Sequence, residues 1–166
     1  MPKIFHKNEI PFEMRGVALP EYNWKTTPRL GLLSNAKHLG FDIRMLDPGK
    51  FSFPYHAHRA SEELFYIISG EVTLRSPAGF EKLQAGDMAF FEEGTTGAHQ
   101  LYNHSDMQCV YLDIRSAYGI DVTDYPDTGK VVIFPTREIF EKGPAVDYFK
   151  GEENPKDKWP KEILKK

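Results

Sequence analysis

The stretch His56-Ala57-His58-Arg59-Ala60-Ser61-Glu62-Glu63-Leu64-Phe65-Tyr66-Ile67-Ile68-Ser69-Gly70 decides how the chain is read. Its second half alternates with a period of two: Glu63, Phe65 and Ile67 share one face, and Leu64, Tyr66 and Ile68 share the other. Aromatic and β-branched residues ending at a turn glycine predict a strand over Glu63–Ile68. In the first half, His56 and His58 stand two apart, so on an extended segment both imidazoles point to one side, as two ligands of one metal must. Glu63 follows after a short connection and opens the strand. Its neighbour Glu62 is the rival ligand, and its ordinary reading is a solvated rim residue.

Working outward, short strand-like runs recur between turn residues: Gly40–Leu46, Phe51–Ala57, Glu71–Ser76, Asp87–Glu92, Ala98–Asn103, Gln108–Arg115 and Lys130–Phe134. The separators Asp47-Pro48-Gly49, Ser69-Gly70, Ser76-Pro77-Ala78-Gly79 and Ala85-Gly86-Asp87 supply fixed φ, positive φ or side-chain-to-backbone bonds. No segment keeps the three-and-four spacing of a long amphipathic helix. The expected class is therefore all-β, a sandwich or barrel. A third histidine, His99, lies on another of these runs, where only tertiary folding can bring it to His56, His58 and Glu63.

The chain has 166 residues, 40% of them hydrophobic, enough for one domain with a packed core and too few for two enzyme domains. Residues 1–39 are expected to form an N-terminal arm packed on the barrel, 40–118 the barrel core, and 119–166 a C-terminal extension that completes the single domain. With 21 Lys+Arg against 24 Asp+Glu, the net charge is -3, and no basic stripe suits the chain to nucleic acid. The longest apolar run, Leu64–Ile68, is far short of the ~20 residues that cross a bilayer. The N-terminus lacks the unbroken apolar core of a secretory signal, so a cytoplasmic address is expected. The single cysteine, Cys109, cannot form an internal disulfide and reads as a small core hydrophobe.

Two segments are similar to the paired motifs of the cupins. Gly49-x6-His56-x-His58-x4-Glu63-x6-Gly70 resembles the first cupin motif, and Gly86-x5-Glu92-x-Gly94-x4-His99-x3-Asn103 resembles the second. The chain departs from that pattern by one extra residue before His56, two extra before His99, and Glu92 in place of a proline. The resemblance covers about Gly40–Arg115. It implies a double-stranded β-helix, a small jelly-roll barrel, with His56, His58, Glu63 and His99 binding one divalent metal ion (Zn, Fe, Mn or Ni). Three imidazoles and one carboxylate leave the site at charge +1, and a six-coordinate ion keeps two positions open.

Such a site suits a metal-dependent enzyme, an oxygenase, isomerase or lyase, acting on a small polar organic molecule. The alternative is a non-catalytic protein that binds or senses a sugar or organic acid in the barrel. Tyr102, Gln108 and Glu92 are the polar candidates for proton transfer, and Phe65, Phe90, Phe91, Tyr102 and Tyr111 the aromatic candidates for lining a ligand pocket. His6, His38 and His104 lie outside the pattern. The face formed by Leu64, Tyr66 and Ile68 needs a cover, either the arm with Trp24 or a second subunit, and a homodimer is expected.

Overall fold

The computed structural model describes residues 1–15, 19–117 and 119–164. Its elements are β1 (Glu13–Arg15), β2 (Trp24–Thr26), a single-turn helix α1 (Leu30–Leu33), β3 (Leu39–Leu46), β4 (Ala57–His58), β5 (Glu63–Ser69), β6 (Glu71–Ser76), β7 (Gly79–Gln84), β8 (Met88–Phe91), β9 (Gln100–Tyr102), β10 (Cys109–Ser116), β11 (Asp121–Tyr125), β12 (Lys130–Phe134) and β13 (Glu138–Glu141). The strands are antiparallel, as expected of an all-β chain whose turns are rich in Gly, Pro and Asp.

One sheet runs β1-β2-β3-β10-β5-β8. Opposite it, β13-β12-β11-β4 and β7-β6-β9 are joined through bridges at His56–His99 and Phe51–Tyr102. The core lies between the two layers. It takes Leu46, Phe65, Ile67, Ala89, Phe91, Cys109 and Tyr111 from the first layer, and Val72, Leu74, Leu83 and Leu101 from the second. This is the two-layer jelly roll of a double-stranded β-helix. Phe65 is nearly fully buried against Phe91 and Tyr111, so cutting it to alanine is expected to cost about 3–5 kcal/mol.

Several strand expectations change in detail. Phe51–Ala57 is mostly bends, because Pro54 has no N–H to give a ladder; pairing is confined to bridges at Phe51 and His56 and to β4. The hairpin partner β7, the C-terminal strands β11 and β13, and the arm strands β1 and β2 were not anticipated. The last two do not lie over the barrel. They continue the large sheet in its own plane beyond β3. Trp24 turns inward, packs against the core and meets Phe53 at 4.5 Å, so it does not cover the outer face of β5. Tyr118, the expected end of the barrel core, lies outside the described residues.

Candidate metal centre

Strand pairing alone fixes who faces whom. Across the large sheet, Glu63 lies opposite Arg115 and Phe91, and Asp113 lies opposite Phe65 and Asp42, so these side chains share the inner face. Glu63 is 4% exposed, while the Glu62 side chain points to solvent. From the other layer, β4 and the bridge between His56 and His99 bring three imidazoles to Glu63. Ligand atoms of His56, His58 and Glu63 all lie within 4.8 Å of one another. His99 stands beside them, its Nε2 3.1 Å from Glu63 Oε2 and its ring stacked on Phe91. The turn before it depends on Gly97, where a Cβ would strike the Glu92 carbonyl.

Each imidazole is held by its Nδ1. His56 donates to the Pro54 carbonyl at 2.9 Å and His99 to the Gly97 carbonyl at 2.9 Å. His58 meets Asp121 Oδ2 at 2.5 Å, with Thr123 Oγ1 at 3.2 Å. These bonds leave the three Nε2 atoms for a ligand, the arrangement by which outer residues fix the tautomer of metal-binding histidines.

Glu63 Oε2 and His99 Nε2 are buried without a hydrogen-bond partner. Two acceptor atoms 3.1 Å apart repel one another unless a proton or a cation lies between them. The donor set therefore fits a divalent ion, on both its chemistry and its unmet valences.

Burial drives the His56 imidazole down to about 3, with His99 adding to the effect, so this ring is neutral at physiological pH. Burial also opposes charge on His58, but Asp121 and Glu63 outweigh it and raise the ring to about 9. For Glu63, burial works against the carboxylate, yet His58 and His99 hold it well below its usual range. In the metal-free protein, His58 thus carries the proton that a metal would replace.

The site opens into a cavity of about 450 Å³, within the range of small-molecule sites. Trp24, Phe53, Tyr125, Phe134 and Ile139 form apolar walls, and Arg29, Arg44, Arg115 and Arg137 bring positive charge. Arg44 is partly buried and tied to Asp42 at 2.8 Å and to Asp113, its guanidinium over the ring of Phe53. Burial opposes its charge, but Asp113 and Asp42 hold the guanidinium firmly protonated.

The anticipated proton-transfer and lining residues lie elsewhere. Tyr102 borders a separate shallow depression, Gln108 bonds Asp47, and Glu92 is exposed. Phe65, Phe91 and Tyr111 are core, and Phe90 faces solvent. Strand β11 supplies what the sequence reading missed: Asp121 and Thr123 behind His58, and Tyr125 stacked on His56 at 5.9 Å. The run Asp-Val-Thr-Asp-Tyr breaks strict alternation at Thr123-Asp124, so its only sequence signal was the β-branched pair Val122-Thr123.

A family model described as a cupin domain matches residues 43–115. The matched residues run from within β3 to within β10, and this part of the chain is similar to a cupin domain. The fold is shared with a candidate sugar phosphate isomerase from Acidithiobacillus ferrooxidans, at 24% identity and a TM-score of 0.76 over 87% of this chain and 96% of that one. It is shared also with a cupin-superfamily sugar phosphate isomerase from Silicibacter pomeroyi, at 22% identity and a TM-score of 0.75 over 89% and 98%. A predicted oxalate decarboxylase from Thermotoga maritima is more distant, at 20% identity and a TM-score of 0.57 over 69% and 98%. A search of curated proteins finds no match to the chain. Among the described residues, no helix is long and apolar enough to cross a membrane.

Proposed function

We propose that the chain is a metal-dependent enzyme of the isomerase type, acting on a small hydroxy-carbonyl compound, with His56, His58, Glu63 and His99 holding one divalent ion. The observation that carries this reading is the buried pair Glu63 Oε2 and His99 Nε2, both without a hydrogen-bond partner, beside an open cavity lined by Glu63, His56 and His58. The names of the two sugar phosphate isomerases of similar fold point the same way.

When bound, the metal supplies a Lewis acid that polarises a carbonyl or hydroxyl oxygen. The chain's own residues set up the rest. His56 is presented neutral, carbonyls fix the rings of both His56 and His99, and Asp121 orients His58. Trp24, Phe53 and Phe134 thin the water around the reacting group, which strengthens each charge interaction inside. Tyr125 stands at the wall beside His56, and burial raises its phenol, so it keeps its proton at neutral pH and can donate it from its hydroxyl oxygen.

Incubation with aldose and ketose phosphates in heavy water tests the reading. Metal-dependent exchange of the proton on the carbon next to the carbonyl is the expected result. Saturable binding with no exchange and no turnover would favour the non-catalytic binding protein instead.

A further inference from the structure

Three arginines of the cavity have no role in the metal site. Arg44 is consumed by Asp42 and Asp113, but Arg29, Arg115 and Arg137 form no ion pair with any acid among the described residues. They come from three distant places in the chain. Arg29 caps the start of α1, Arg115 sits on β10 opposite Glu63, and Arg137 sits in the turn between β12 and β13.

All three side chains line the cavity, and two local features accompany them. Arg115 lies across Gly40, where an added Cβ would come within 3.0 Å of its Nε, so the glycine leaves the groove that the arginine occupies. Arg137 has φ +61, a conformation that costs a branched or long residue about 1 kcal/mol or more and that a hairpin turn would ordinarily give to Gly or Asn. Its backbone N–H closes the turn on the Ile133 carbonyl at 2.7 Å. The three are also close enough to affect one another: burial first, and then Arg115 and Arg137, push the Arg29 guanidinium below its ordinary value.

Burial orders the cavity from end to end. His58 and Glu63 are almost wholly buried, Arg115 is half-buried, and Arg29 and Arg137 are exposed. Mutually repelling cations gathered at the open end of a cavity call for an anion. A single carboxylate offers one negative charge and two oxygens in one plane, whereas a phosphate monoester offers up to two charges and three oxygens spread in three directions to several forks at once.

We infer that Arg29, Arg115 and Arg137 form a subsite for the phosphate group of a phosphorylated substrate, whose carbonyl end reaches the histidines and Glu63. This rests on the metal-centre reading for the far end only; the arginine subsite itself is independent of it.

The test titrates the full chain with inorganic phosphate by calorimetry, both as purified and after chelation, with metal content measured in parallel. Wild type should bind phosphate saturably in both states, sulfate should compete, and acetate should compete far less. Arg115→Gln and Arg137→Gln should each weaken phosphate by about tenfold or more, and Arg→Lys should recover part of the loss. Both positions are at least partly exposed, so folding is checked simply by circular dichroism. Unchanged phosphate binding in the double Arg→Gln variant, or no saturable binding by the chelated wild type, would overturn the subsite. A protein that holds metal as purified but binds no phosphate sinks the subsite alone, and one that binds phosphate but takes up no metal when metal is supplied sinks the metal centre alone.

Discussion

His58 Nδ1 and Asp121 Oδ2 meet at 2.5 Å across 63 residues of sequence, tying the short strand β4 to the first residue of β11. Asp121 Oδ1 also accepts the Ala60 N–H at 3.0 Å, so the carboxylate fixes both the ring and the turn that follows it. Asp121→Asn is expected to lower metal affinity by about 10–100-fold while leaving the fold intact. Competition titration with a chromogenic chelator reads this directly. Wild-type affinity in that variant would remove Asp121 from the account.

Adjacent carboxylates give a second prediction. Glu63 is buried among the imidazoles and Glu62 is exposed. Glu63→Gln should strip most of the metal and Glu62→Gln should leave it near wild type, as elemental analysis of the two purified variants would report. The opposite pattern would mean that the strand register is wrong.

His58 makes the metal-free protein sensitive to pH. Its pKa is raised from 6.5 to about 9, so protonated His58 stabilises the fold fully below pH 6.5, and this contribution is lost as pH climbs through about 9. The gap is worth on the order of 3 kcal/mol. His56, lowered from 6.5 to about 3, acts on the other side and costs stability as the pH drops below 6.5. Chelated protein should therefore lose thermal stability from pH 6.5 to 9, and metal affinity should rise over the same range. A flat melting profile across that interval would contradict the assignment of the proton to His58.

The outer face of the large sheet supports the proposed homodimer. Phe41, Ile114, Leu64 and Phe90 lie in register across four strands, with Tyr66 and Met88 in the next row. Phe5 covers Phe41 at one end, but Phe90 is 60% and Met88 67% exposed at the other. Light scattering at micromolar concentration should give twice the chain mass, and Phe90→Asp should give a monomer. A monomeric wild type would refute the pairing.

The candidate ligand residues were legible because strand geometry turns a spacing of two into a shared face, and because the two motifs occur in order around turn glycines. Much of the remaining architecture was hidden for physical reasons. Strand β7 reads Gly-Phe-Glu-Lys-Leu-Gln, polar at half of its positions, and forms because its hairpin with β6 supplies the ladder. Strand β11 carries Asp121 and Asp124 among its five residues and gains its place from β4 and β12. The grouping of Arg29, Arg115 and Arg137 depends on three loops and strand ends meeting in space, which no local pattern records. Pro54, conversely, was visible, and it broke the strand expected over Phe51–Ala57.

The central claim is that one divalent ion is held by His56, His58, Glu63 and His99. Elemental analysis of the unchelated full chain, beside His58→Ala and His99→Ala prepared identically, tests it most directly. The account predicts about one metal ion per chain in the wild type and a steep loss in both variants, because coordination number and charge balance fall together. Stoichiometric metal retained by either variant after dialysis would contradict it.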